Sequence, residues 1–187
     1  MVQTGRPSAD HTDGDWTDQD DGSSLYAAID DTGSGDDTTT FIKATDDSSE
    51  HACIVEIANL SAPGSGDSTI TYKALAADGA SSGDYPNLKI ELLEGGSVLD
   101  PAVAITNSSV ATDAFTSVTT SALDVSGVSD WTDLQFKLTL LPGSGAGMGQ
   151  SDLLKVTQIY LTIQDAGGSS VPIAAIAMNT YRQMGNN

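Results

Sequence analysis

The clearest periodicity in the chain is the alternation over residues 134–141. Leu134, Phe136, Leu138 and Leu140 share one face, and Gln135, Lys137 and Thr139 share the other. A repeat of two marks a strand with one buried side. The pattern recurs over 69–76, with Ile70, Tyr72, Ala74 and Ala76 on one face, and over 88–93, with Lys89 and Glu91 directed outward. Residues 40–44, 51–60, 98–105, 115–125 and 153–164 are apolar or β-branched enough to supply further strands. Breakers separate them: a Pro/Gly/Ser turn at 61–68, a loop holding Gly79, Gly83 and Pro86, a hairpin turn at Gly95-Gly96, and a Gly-rich loop at 142–150. A helix over 151–159 fits the spacing less well than a strand. About eight short strands joined by tight turns predict an all-β fold, an antiparallel, jelly-roll-like β-sandwich spanning residues 40–165.

The flanks read differently. Residues 1–39 are polar and rich in Asp and Gly, with Trp16 as a large apolar anchor and a patch of Leu25, Tyr26 and Ile29 behind it. Segments of this composition rarely fold alone, so the expectation is an acidic N-terminal arm that docks through those side chains. Residues 166–187 form a C-terminal tail, in which a Gly/Ser linker precedes the apolar stretch 171–178 and then Tyr181 and Arg182. The tail has two readings: an extra element of its own core, or a contact with a neighbouring subunit. Aromatic residues and Arg are enriched at interface anchors. The candidate interface residues are therefore Trp16, Leu25, Tyr26, Ile29, Ile173, Ile176, Met178, Tyr181 and Arg182.

Charge narrows the partners. In 187 residues, 26 acids face 7 Lys plus Arg, for a formal charge of −19. A surface of that sign repels phosphates and anionic lipid heads, and no basic cluster offsets it, so neither nucleic acid nor membrane is an expected partner. No apolar run reaches the length of a membrane span, and the first residues lack the apolar core of a secretory signal. The length fits one domain with a core that needs no staple. The single cysteine, Cys53, excludes an intramolecular disulfide.

Candidate chemistry is sparse. His11 and His51 are the histidines, and His51 and Cys53 lie two apart, on one face of a strand. A Cys/His nucleophile pair is one reading of them; a partly buried Cys beside a strand-edge His is the commoner one. Two ligands do not make a zinc site. The run Asp10, Asp13, Asp15, Asp18, Asp20, Asp21 offers hard oxygen donors, but no frame supplies the EF-hand order. Gly143, Gly145, Gly147 and Gly149 break the spacing of phosphate-binding loops and lack the Lys-Ser/Thr ending. Few aromatics are present to stack on sugars. The residues imply no catalytic group, cofactor or metal.

Two segments carry a resemblance. Arg6-Pro7-Ser8-Ala9-Asp10, then Gly14-Asp15-Trp16-Thr17, then Leu25-Tyr26-Ala27-Ala28-Ile29-Asp30 resembles an Arg-Pro-x-x-Asp…Gly-x-Trp…Leu-Tyr-x-x-Ile-Asp-Glu opening. That opening is found in small proteins encoded among tailed-phage structural genes. Ser129-Asp130-Trp131-Thr132-Asp133-Leu134-Gln135-Phe136 and Val156-Thr157-Gln158-Ile159-Tyr160-Leu161 resemble the closing half of the same proteins. The resemblance implies a non-enzymatic β-sandwich of the virion: a capsid decoration (cement) protein bound to the major capsid protein, as a homo-oligomer, with a trimer expected. The alternative is a tail or fibre module that recognises a host glycan, near Trp131 or Tyr85. Two departures stand out: Asp31 replaces the usual Glu, and the tail 171–187 lies outside the pattern.

Overall fold

The computed structural model describes residues 2–19, 24–30, 40–45, 49–63, 68–76, 86–107, 114–142 and 154–164. They form two antiparallel sheets packed face to face. The strands are β1 (Val2–Gly5), β2 (Pro7–Thr12), β3 (Trp16–Asp18), β4 (Ile42–Ala44), β5 (His51–Ile57), β6 (Ser68–Ala76), β7 (Asn87–Glu94), β8 (Ser97–Asn107), β9 (Thr116–Thr119), β10 (Leu134–Leu141) and β11 (Leu154–Gln164). The first sheet runs β3-β4-β11-β6-β9, with β1 also paired to β11. The second runs β2-β5-β10-β7-β8.

The predicted sandwich is therefore present, with eleven described strands rather than about eight. The strongest alternations lie at the centre of the sheets. β10 is flanked by β5 and β7 and buries Leu134, Phe136, Leu138 and Leu140. β6 buries Ile70, Tyr72 and Ala74 against Val156, Ile159, Leu161 and Ile163 of β11. Residues 154–164 are strand, so the helical alternative fails where the structure describes that stretch. Between β7 and β8, Gly95 (φ 56°) and Gly96 (φ 77°) are both left-handed, as a two-residue hairpin turn that follows the sheet twist requires. Glu91 corrects a detail of the sequence reading. It faces outward but is nearly covered, because Lys89 (2.9 Å) and Lys137 (3.6 Å) close over its carboxylate.

The larger correction concerns the expected arm. Residues 2–18 are part of both sheets. β1 pairs with the end of β11, β2 with β5, and β3 with β4. Trp16 is 2% exposed, and Leu25 and Ile29 are fully buried in the same core as the central strands. Those three side chains are thus not available to a neighbouring subunit. Tyr26 is half-buried and packs against the core. Ile173, Ile176, Met178, Tyr181 and Arg182 lie outside the described residues.

Candidate functional site

The residues of the opening motif, Arg6 to Asp30, converge on one flank, where they hold the chain's first thirty residues to the sandwich. Arg6 follows β1 and lays its guanidinium 4.9 Å over the Tyr160 ring. It also donates to the carbonyl of Asp30 at 3.3 Å. Asp10, in β2, accepts from the backbone N–H groups of Tyr26 (2.7 Å) and Leu25 (3.1 Å). It thereby fixes the start of the short 3-10 turn Tyr26–Ala28 in the manner of an N-terminal cap. Burial pushes the Asp10 carboxyl above its ordinary value, the two N–H groups oppose that shift, and Asp13 and Asp18 add to it.

Gly14 sits in the turn between β2 and β3 at φ 57°, and a Cβ there would lie 1.8 Å from the carbonyl oxygen of Ala52. Only glycine allows the chain to cross β5 so closely. The next anchor is Trp16, whose indole Nε1 donates to the carbonyl of His51 at 3.2 Å. Ile29 completes the set by accepting from the N–H of Ile159 at 3.3 Å. One side of β11 is paired to β6. The other is covered in turn by β4 at residues 155–156, by this turn at Ile159, and by β1 at 161–164. A long strand thereby avoids leaving a row of unpaired backbone groups.

His51 opens β5 beneath this flank. Its Nδ1 lies 3.0 Å from Asp15 Oδ2, and its Nε2 lies 3.1 Å from Ser49 Oγ. The ring is buried, whereas Asp15 and Ser49 reach the surface. The order carboxylate, imidazole, hydroxyl is that of a hydrolase relay, but such a relay also needs donors for the developing oxyanion. What the contacts demonstrably do is tie the β2–β3 turn to β5. The Cys/His reading is corrected by the same geometry. Cys53 is fully buried and its thiol is pushed well above its ordinary value by burial, which keeps it un-ionised and inert.

The described residues of the acidic run do not gather into a cation site. Asp10 serves the turn and Asp15 serves His51. Among the described residues no group of three or more His, Cys, Asp or Glu could hold a metal ion. Asp20, Asp21, Tyr85 and the glycines at 143–149 lie outside the described residues.

Two clefts remain. One, of about 370 Å³, opens at the end of the sandwich and is lined by Ala62, Pro63, Leu123, Asp124, Val125, Ser126, Val128 and Trp131. Trp131 is 9% exposed and its carbonyl accepts from Leu60 N–H. The other, of about 530 Å³, lies between the edge strands β8 and β9, with Tyr72, Ile105, Val118 and Leu123 as its apolar walls. Near the first cleft, Asp124 and Asp130 are held below their ordinary values by hydrogen bonds from Ser126 and Thr132. The hydroxyl of Ser129 does the same for Glu94.

No known family pattern and no curated protein matches the chain. Among solved structures it is similar to the C-terminal CBM6 module of LamC, a marine laminarinase from Zobellia galactanivorans. Identity is 13% and the TM-score 0.44, over 88% of this chain and 100% of that one. It is also similar to the xylan-binding module CBM15, at 12% identity and TM-score 0.45, over 89% and 99%. At that level of likeness neither says anything about a ligand of this chain.

Proposed function

We propose that the chain is a non-catalytic structural component of a tailed-phage particle, a decoration protein that binds the assembled capsid and bridges its subunits. The observation that carries this reading is the fate of the signature residues. Arg6, Asp10, Gly14, Trp16, Leu25 and Ile29 are all taken up in joining the N-terminal strands to the sandwich. A signature made of architecture suits a protein selected for its shape and its surfaces. The charge of −19 fits attachment to a protein lattice and opposes contact with packaged DNA. A protein that binds only the assembled shell stabilises it by mass action, and a trimer on three-fold positions is the expected form.

The test is co-sedimentation of the purified chain with shells assembled from the major capsid protein. Saturable binding at a fixed ratio supports decoration, and a chain that stays in the supernatant at all concentrations overturns it. A second reading, recognition of a host glycan, is favoured by the cleft at Trp131 with Asp124 and Ser126 on its walls. The small exposed fraction of that indole leaves little ring face for sugar stacking, so the structural reading stands first.

A further inference from the structure

The chain's two histidines both sit where the N-terminal segment meets β5, and they are held in opposite ways. His11, in β2, has Glu56 Oε1 3.6 Å from its Nδ1, and both side chains are nearly half exposed. The same nitrogen lies 3.3 Å from the amide nitrogen of Gln135. Gly96 N–H donates to Gln135 Oε1 at 2.9 Å, which fixes that amide with its nitrogen toward the imidazole. His11 Nδ1 is therefore an acceptor. His51, in β5, is buried, and each of its ring nitrogens faces an oxygen: Asp15 Oδ2 at Nδ1 (3.0 Å) and Ser49 Oγ at Nε2 (3.1 Å). Both oxygens are acceptors, so a second proton enters the ring without leaving a buried N–H unmatched. We propose that His51 is a proton-operated clasp, whose imidazolium form grips Asp15 and locks the β2–β3 turn onto β5 in mildly acidic surroundings.

Burial opposes a charged ring and neighbouring carboxylates favour it, so the surroundings decide. The Asp15 side chain is 67% exposed. It keeps its hydration, and its attraction to the ring carries little desolvation cost of its own. Asp13 shares the β2–β3 turn. Together with Asp10 of β2 it acts electrostatically on Cys53, two residues along the same face of β5. Asp18 of β3 adds its charge at Asp10, and Glu50 precedes the histidine in the chain. From β10 the residue opposite is Leu140, and Cys53 stays un-ionised. Lys43 of β4 lies on the outward side of its sheet, between the buried Ile42 and Ala44. Acids thus dominate the ring's described surroundings. The turn is also held by Thr45 N–H, which donates to the Asp15 carbonyl at 2.8 Å, and by the Trp16 indole on the His51 carbonyl. The clasp therefore tunes a seam that is formed with or without the proton. A folded chain that holds the ring proton more tightly than the unfolded chain gains stability as pH falls. The gain is complete below the ordinary histidine range, about pH 6.5, and fades as pH rises above it.

Urea unfolding of the full-length chain at about pH 5.5 and about pH 8 tests the clasp, on either side of the ordinary histidine range. The parent is compared with Asp15→Asn, which removes the partner's charge at an exposed site, and with Glu56→Gln, which does the same beside His11. The unfolding constant of Asp15→Asn, divided by that of the parent, is expected to be about fivefold larger at the lower pH than at the higher, solvent screening of Asp15 keeping the effect modest. Glu56→Gln is expected to keep the parent's pH dependence. Ser49→Ala, which removes the acceptor at Nε2, is a second variant at another exposed site and is expected to lose part of that dependence. Exchange of the Trp16 indole N–H supplies a local readout, since it rests on the His51 carbonyl. It is expected to be several-fold slower in the parent than in Asp15→Asn at the lower pH, and alike in the two at the higher. An Asp15→Asn chain that follows the parent's pH dependence, a difference of opposite sign, or an equal loss in Glu56→Gln would overturn the proposal.

Discussion

The flank built from residues 5–30 and the flank between β8 and β9 cover the same core by different means. On the first, short polar contacts are dense. Asp10 holds two backbone N–H groups, Trp16 reaches the carbonyl of His51, and Ile29 accepts from Ile159. On the second, the half-covered aliphatic side chains Ile105, Val118 and Leu123 alternate with Thr106, Thr120 and Ser121. A hydrogen-bonded closure fixes one geometry, because a misplaced partner leaves a buried polar group unmatched. An apolar wall is non-directional and tolerates different occupants. The first flank is thus suited to define the fold, and the second to tolerate substitution.

Substitutions should separate the two flanks by size of effect. Trp16→Ala removes a buried indole and its hydrogen bond to the His51 carbonyl, and is expected to cost about 3–5 kcal/mol in urea unfolding. Gly14→Ala comes next. The left-handed conformation alone costs about 1–2 kcal/mol, and the contact with Ala52 forces β2 and β5 apart, which should show as a lower melting temperature. Asp10→Asn probes pH rather than size. The folded Asp10 carboxyl is raised, so its charge opposes folding at neutral pH, and that opposition fades as pH falls through the folded value toward the ordinary 3.8. Glu94, Asp124 and Asp130 are lowered, so their contribution is present above their ordinary values and is lost as pH falls through the folded ones. Asp10→Asn should therefore lose more stability than the parent between pH 7 and pH 4, as read from melting curves. The smallest effect is expected at the open flank, where Val125→Ser should change stability by less than about 1 kcal/mol. A loss there as large as that of Trp16→Ala would erase the contrast.

The central strands could be read from the sequence because they bury one full face. Leu134, Phe136, Leu138 and Leu140 announce β10 without ambiguity. The N-terminal strands could not, because β1 buries only Gly5 and β2 only Pro7, and their pairing is carried by the backbone. Without an alternating apolar set, a strand of this kind looks like an acidic arm. Trp16 was legible as an anchor but not its berth, since a side chain names the need for burial and not the surface that meets it. The contact of His51 with Asp15 joins residues 36 apart, and no local pattern encodes it. The two clefts were equally silent, because Ile105, Val118, Leu123, Val125 and Val128 come from separate elements and only the packing brings them together.

The most direct test of the proposed virion role is quantitative mass spectrometry of density-purified particles from cells that express the chain. The reading predicts a fixed copy number relative to the major capsid protein, retained through repeated banding. Absence of the chain from purified particles, with the chain abundant in the infected cell, would contradict it.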